Sequence, residues 1–182
     1  MNILNKYIYS TALIIVAAFT NIQAQDFAPK PFPDRVILTW KGSTSLSQTV
    51  TWRTDTTILG SKAQIKAEDS SPALEDAITT YDASSRLLSG GENYAVAKYH
   101  HVTFDNLKPG TVYAYRVGTG DYWSEWFQFT TASDRDKPFS FIYLGDAQND
   151  IRSKWSRVIR RAFSHEPNAR FIIHTGVSDQ PI

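Results

Sequence analysis

The chain has 182 residues, of which 42% are hydrophobic and 20% are charged, and its formal net charge is +1. This balanced composition is typical of a globular protein and gives no electrostatic basis for binding nucleic acid or an anionic membrane. Aromatic residues make up 13% of the chain, and their fit to pleated sheets favours a β-rich body. No cysteine is present, so the fold cannot depend on disulfides.

The first 24 residues have the pattern of a secretory signal peptide. Lys6 precedes a largely apolar run from Tyr7 to Phe19, and the small Ala24 follows at a cleavage-type position. A membrane anchor is the alternative, but this run of about 13 residues is shorter than the roughly 20 that a spanning helix needs. We therefore expect residues 1–24 to be removed and the mature protein to be secreted or periplasmic, with no membrane attachment.

Residues 25–33 contain three prolines and are interpreted as an extended linker. Beyond them, short apolar-patterned segments alternate with turn signals as far as residue 132, which is typical of a β-sandwich. Strands are predicted at 35–40, 47–53, 63–67, 95–104, 111–117 and 125–130, with a weaker one near 78–81 in an otherwise irregular stretch from 68 to 89.

The most specific local signal is a Pro-Gly turn followed by a tyrosine. Pro109 and Gly110 form the turn, and Tyr113 begins the next strand, where its hydroxyl can reach back to the preceding backbone. This tyrosine-corner arrangement resembles that of fibronectin type III domains. We therefore predict an all-β, fibronectin type III-like sandwich over residues 34–132.

After a charged linker at 133–138, the pattern changes to strand, loop, helix and strand. The first aromatic-rich run ends in Gly145-Asp146, and the second ends at Gly176. Apolar residues recur between them at three- and four-residue steps, which predicts a helix capped by Asn149 or Asp150. In this βαβ unit Asp146 follows a strand at its carboxyl end, the edge where α/β sheets bind ligands.

The complete layout resembles that of purple acid phosphatases, which are calcineurin-like metallophosphoesterases. The parts that carry the resemblance are the sandwich with its His100-His101 pair, the charged linker, and the strand-Gly-Asp-helix-strand segment that ends in His174-Thr-Gly176. The resemblance implies hydrolysis of phosphate monoesters at a dinuclear centre, in which Fe is paired with Fe, Zn or Mn. It assigns Asp146 as a metal ligand and Gln148 as its neighbour.

The chain departs from the family pattern after the second strand. There the family has a Gly-Asp pair whose aspartate bridges both metals, whereas Gly176 is followed by Val177, which cannot ligate a cation. Asp179 lies further along and would need a different loop path, so it is a doubtful ligand. The later Gly-Asn-His and Gly-His-x-His motifs of the family have no counterpart in this sequence. We therefore expect residues 139–182 to form a truncated metallophosphoesterase domain, inactive alone and without stably bound metal.

The four histidines have structural interpretations instead of ligand roles. His100 and His101 are neighbours on a strand and so occupy opposite faces, while His165 ends the helix, near the terminal carbonyls. His174 is expected to be buried on the second strand. The basic residues of the helix are interpreted as a solvated face.

Two functions remain open from the sequence. In the first, the chain is the N-terminal part of a secreted, metal-dependent acid phosphatase, and Gly145-Asp146 favours this descent. In the second, it is a non-catalytic secreted binding module in which the sandwich is the working part, and Val177 favours this alternative.

Overall fold

The computed structural model describes residues 28–68, 77–89, 95–147 and 150–176. The predicted signal peptide, Gln148 and Asp179 lie outside the described residues. Within the described part, no helix has the length and apolar character needed to cross a membrane.

Two antiparallel sheets form the body of the described chain, which confirms the predicted fibronectin type III-like sandwich. One sheet has the order β1-β2-β6-β5, and in the other β4, β3 and β7 are followed by β8, with β9 also paired to β7. The strands are β1 (Asp34–Thr39), β2 (Gln48–Thr54), β3 (Lys62–Ala67), β4 (Thr79–Asp82), β5 (Ser84–Leu88), β6 (Ala97–Phe104), β7 (Val112–Thr119), β8 (Tyr122–Trp123) and β9 (Phe127–Thr130).

The core lies between the two sheets and is largely aromatic. Trp52 from β2 and Phe104 from β6 are completely buried, and they meet residues that alternate inward along β7 and β9. The rings of Phe104 and Phe129 stack across the sandwich, with centroids 6.5 Å apart. Burial of such large side chains is the main stabilising contribution of a disulfide-free domain.

The tyrosine corner forms as the sequence predicts. The Lys108 backbone N–H donates to the Tyr113 hydroxyl oxygen at 2.8 Å, and Gly110 adopts the positive φ of 61° that the turn requires. The Tyr113 ring stacks on Phe129 at 5.7 Å. This contact fixes the turn to the core at the point where β7 begins.

The sequence patterns do not predict two of the strands, β5 and β8. β5 follows β4 after the single residue Ala83, so the chain passes from one sheet to the other within one extended segment. All five residues of β5 are exposed, so no apolar alternation marks it. β8 has only two residues and pairs with the end of β7 around a tight turn.

The predicted βαβ unit is also present. β10 (Ile142–Leu144) and β11 (Ile172–His174) pair in parallel, and the chain between them forms a π-helical turn (Ile151–Trp155) that continues into α1 (Ser156–His165). No residue of α1 is buried, and Val158 on its apolar face is 45% exposed.

Asn149, the other predicted cap, lies outside the described residues, but the expectations of an Asp150 cap and of a buried His174 are wrong. Asp150 has a left-handed backbone and makes no side-chain capping bond, and its carboxylate instead pairs with the Lys154 ammonium at 2.9 Å. His174 is exposed, because no described element covers the outer face of β11. Its ring and that of Trp155 form an edge-to-face pair with centroids 5.3 Å apart.

Candidate metal-ligand site

Asp146 lies where the parallel strands of the βαβ unit end. β10 ends at Leu144, whose carbonyl accepts a hydrogen bond from the Thr175 N–H at 2.9 Å, so the ladder continues one residue beyond β11. This bond brings the Gly145-Asp146 loop beside Gly176. The side chain of Asp146 is exposed at this edge.

The Asp146 carboxylate packs directly against the backbone of Gly176. A Cβ atom at Gly176 would overlap the carboxylate and stand 2.8 Å from its Cγ atom, and the φ of 113° at Gly176 itself favours glycine. The glycine therefore leaves the space that the carboxylate occupies. Asp146 and Gly176, which follow the two predicted strands, are therefore in contact.

The surroundings of Asp146 are polar and open to solvent. The Thr175 hydroxyl donates to the Tyr143 hydroxyl at 2.9 Å and links the two strands beside the site. Among the described residues, no group of three or more histidine, cysteine, aspartate or glutamate side chains could hold a metal ion.

One carboxylate suits a divalent or trivalent cation as a single oxygen ligand, but a dinuclear centre needs several convergent ligands and a bridging group. The described residues alone therefore do not fit a metal pair. Gln148 and Asp179 lie outside the described part, so their predicted roles stay predictions.

His100 is held as a neutral structural group inside the sandwich. Its Nε2 atom lies 2.8 Å from the Thr54 hydroxyl and its Nδ1 atom 2.7 Å from the Ser85 hydroxyl, while its ring stacks on Trp52. Burial, assisted by the positive charge of Lys98, lowers the pKa of His100 to about 4. His101 points to solvent, as the alternation predicts. Neither histidine is placed near Asp146.

A second organised cluster, which the sequence did not reveal, lies on the sheet that contains β7. The Arg116 guanidinium stands over the rings of Trp123 and Trp126, at 4.6 and 4.8 Å from their centroids, and its Nε atom donates to the Gln64 side chain. Trp123 and Trp126 are three positions apart, and this short spacing is the sequence signal that could have indicated the cluster. The cluster fastens the irregular segment between β8 and β9 to β7.

Comparison with known proteins identifies the family. A family model described as the N-terminal domain of purple acid phosphatase matches residues 33–131, which is more than half of the chain. The chain belongs to the purple acid phosphatase family. The matched residues contain all nine strands described for the sandwich, from β1 to β9.

Individual proteins similar to this chain include one acid phosphatase and two solved structures. Acid phosphatase type 7 of Danio rerio is 36% identical over 77 residues, which are 41% of this chain and 17% of that relative. The solved structure of PhoD superposes with a TM-score of 0.51 at 18% identity, and the match covers 84% of this chain and 29% of that one. At this identity the similarity to PhoD concerns the fold alone, and it extends over more of the chain than the matched sandwich. The fibronectin domains FN1–FN3 of chicken CNTN1 match 58% of this chain and 32% of theirs, with 20% identity and a TM-score of 0.39.

Proposed function

We propose that this member of the purple acid phosphatase family is the N-terminal part of a secreted, metal-dependent acid phosphatase that acts on phosphate monoesters. The family match over residues 33–131 and the similarity to acid phosphatase type 7 support the reaction class. The signal-type pattern of residues 1–24 supports secretion. The metal pair of the complete enzyme is Fe with Fe, Zn or Mn.

The observation that carries the proposal is the contact between Asp146 and Gly176 at the carboxyl edge of β10 and β11. In α/β sheets, ligands bind at this edge. The Asp146 carboxylate is exposed there and forms no hydrogen bond or ion pair with another described residue, so its oxygens are available to a cation. When bound, a metal pair of this type activates a water molecule and holds the phosphate.

We also propose that these 182 residues have no phosphatase activity by themselves. Val177 stands where a bridging aspartate is needed, and the sequence contains neither Gly-Asn-His nor Gly-His-x-His. In the part of the chain that the structure describes, Asp146 belongs to no group of three or more histidine, cysteine, aspartate or glutamate residues that could hold a metal. Without a bridging ligand, no pair of metals is held at the spacing that in-line displacement requires.

We expect the purified chain, loaded with Fe and Zn, to hydrolyse 4-nitrophenyl phosphate no faster than a matched metal-containing buffer. The reason is the incomplete ligand set. Asp146→Ala and Asp105→Ala, an exposed aspartate of the sandwich, should be indistinguishable from the parent chain. Turnover that a chelator removes, and that Asp146→Ala but not Asp105→Ala removes, would show that this polypeptide assembles a working centre.

The alternative function is that of a non-catalytic secreted binding module, and Val177 after Gly176 is the observation that favours it. The genomic sequence after the codon for Ile182 distinguishes the two. A frame that encodes Gly-Asn-His and Gly-His-x-His supports descent from the phosphatase. Continuous sequence that encodes neither motif in any frame supports the binding module.

A further inference from the structure

A cleft lies between the sandwich, the charged linker and the βαβ unit. Its volume is about 480 Å³, and its lining comes from the end of β1, the end of β9, the linker, and the residues that precede β10 and β11. Clefts of this size accommodate small organic ligands, and those that bind them combine apolar walls with a few convergent polar groups. This cleft has both components.

The apolar component consists of aromatic rings from two parts of the fold. Trp40, which follows β1, meets Phe171 edge to face with centroids 5.3 Å apart, and Phe139 lies 5.8 Å from the same ring. Trp40 remains 45% exposed and Phe139 64% exposed. Part of each ring is therefore open to a planar group that enters the cleft.

The polar component is predominantly cationic. Arg135 and Lys137 of the linker and Arg170 before β11 line the cleft, and Asp136 is the one acidic residue among the lining residues described. Within the described chain, none of the three cationic side chains forms an ion pair or a side-chain hydrogen bond. The formal net charge of the whole chain is only +1. Three cationic side chains that have no ion pair among the described residues nevertheless surround this one cleft.

The cationic groups and aromatic rings of the cleft indicate the chemical class of ligand that it binds. Guanidinium groups bind phosphate oxygens through two parallel hydrogen bonds, and an ammonium group adds a point charge. Exposed aromatic rings beside them favour a ligand that carries a ring of its own.

The cleft is separate from the candidate metal-ligand site. Phe139 and Arg170 precede β10 and β11, whereas Asp146 and Gly176 follow them, so the two sites lie at opposite ends of the parallel pair. Phe139 and Asp146 are seven positions apart in the sequence, which corresponds to roughly 23 Å of extended chain. A ligand in the cleft is therefore distinct from a phosphate ester bound beside Asp146.

We propose that this cleft binds a small aromatic phosphate, with its ring against Trp40 and Phe139 and its phosphate on Arg135, Lys137 and Arg170. Aryl phosphates and nucleoside monophosphates share this chemistry. Because the lining belongs to the sandwich, the linker and the βαβ unit, a bound ligand would hold all three in one arrangement. The proposal does not depend on phosphatase activity.

Isothermal titration of the purified chain with phenylphosphonate tests the proposal, because this probe has the ring and the dianion but no ester bond to hydrolyse. We expect saturable binding that is tighter than that of inorganic phosphate or phenol, each of which has one half of the probe. Titration with adenosine monophosphate shows which source is preferred: tighter binding than phenylphosphonate supports a nucleotide, and weaker binding supports a simple aryl phosphate.

Substitutions locate the binding. Arg170→Gln should weaken phenylphosphonate binding about tenfold, the effect of losing one charge-assisted contact. Arg157→Gln, a matched change on the exposed surface of α1, should leave binding unchanged. In NMR spectra, phenylphosphonate should shift the indole N–H signal that disappears in Trp40→Phe. Each variant counts as folded when the dispersion of its remaining NMR signals equals that of the parent chain.

Three results would overturn the proposal. The first is no saturable binding at millimolar phenylphosphonate. The second is equal binding of inorganic phosphate, which removes the role of the rings. The third is equal weakening by Arg157→Gln and Arg170→Gln, which places the anion on general surface charge.

Discussion

Gly118→Ala should destabilise the chain by roughly 2–6 kcal/mol, because overpacking and backbone strain each cost about 1–3 kcal/mol. Gly118 lies in β7 with a φ of 151°, which L-residues rarely adopt. A Cβ atom there would overlap the carbonyl oxygen of Tyr122 and stand 2.7 Å from the Trp123 Cα atom. Both are backbone atoms of β8, so neither can rotate away.

The damage should extend into the core, because Gly118 is linked to it by hydrogen bonds. The Gly118 carbonyl accepts from the Ser61 hydroxyl at 3.2 Å, and the Ser61 hydroxyl accepts from the Trp52 indole at 3.1 Å. Displacing β7 from β8 therefore disturbs the partner of a fully buried tryptophan.

Urea unfolding measures this effect, and Gly60→Ala is the matched control. Gly60 has no neighbouring atom within 4 Å of the added Cβ and no positive φ, so its substitution should change the free energy of unfolding by less than about 0.5 kcal/mol. Equal effects of the two substitutions would mean that β8 does not fold back on Gly118.

The second large effect is a loss of stability in acid that depends on His100. In the folded chain its pKa is about 4, compared with 6.5 for the exposed group, so the unfolded chain binds the extra proton between these values. Stability from neutral His100 is therefore complete above about pH 6.5 and is lost as the pH falls towards 4. The shift corresponds to about 3 kcal/mol.

Unfolding free energies measured at intervals from pH 7 to pH 4 test this expectation. His100→Gln can retain a hydrogen bond to Thr54 or Ser85 but does not titrate, so the variant should lose less stability than the parent over this range. His101→Gln, at the exposed neighbouring position, should follow the parent. Parallel curves for the parent chain and His100→Gln would show that other groups cause the acid sensitivity.

The sandwich could be predicted from the sequence because its signals are local. Alternation along β2, β6 and β7 places Val50, Trp52, Phe104 and Tyr115 on inward faces, and the Pro-Gly turn positions Tyr113. β5 could not be predicted, because its five residues are all exposed and the contacts described for it are its backbone pairing with β6 and the hydrogen bond between Ser85 and His100. Backbone pairing of that kind leaves no hydrophobic period in the sequence.

The errors in the βαβ unit have a common origin. A strand that follows a helix is usually buried, and an aspartate that precedes a helix usually caps it. The described elements leave β11 uncovered, and the left-handed backbone of Asp150 turns its carboxylate towards Lys154 instead of the helix N–H groups. Coverage by other elements and backbone conformation are not encoded in the local pattern.

The candidate site was predictable in part. The position of Asp146 followed from the rule that functional residues lie at the carboxyl ends of parallel strands, and the sequence also selected Gly176. The cationic cleft was not predictable, because Arg135 and Lys137 have the composition of an ordinary charged linker. Only the fold brings them to Arg170, more than thirty residues further along the chain, and to Trp40.

If Asp146 is a metal-ligand position of a phosphatase-type βαβ unit, added Mn²⁺ should bind there before it binds elsewhere on the chain. Paramagnetic broadening of backbone amide signals measures this preference, because the effect detects even weak binding. We expect the signals of Gly145, Asp146, Thr175 and Gly176 to broaden at the lowest Mn²⁺ concentration. Asp146→Asn should remove this preference, whereas Asp105→Asn should not. Earlier broadening at another exposed carboxylate, or a pattern unchanged by Asp146→Asn, would show that Asp146 is not a preferred metal ligand.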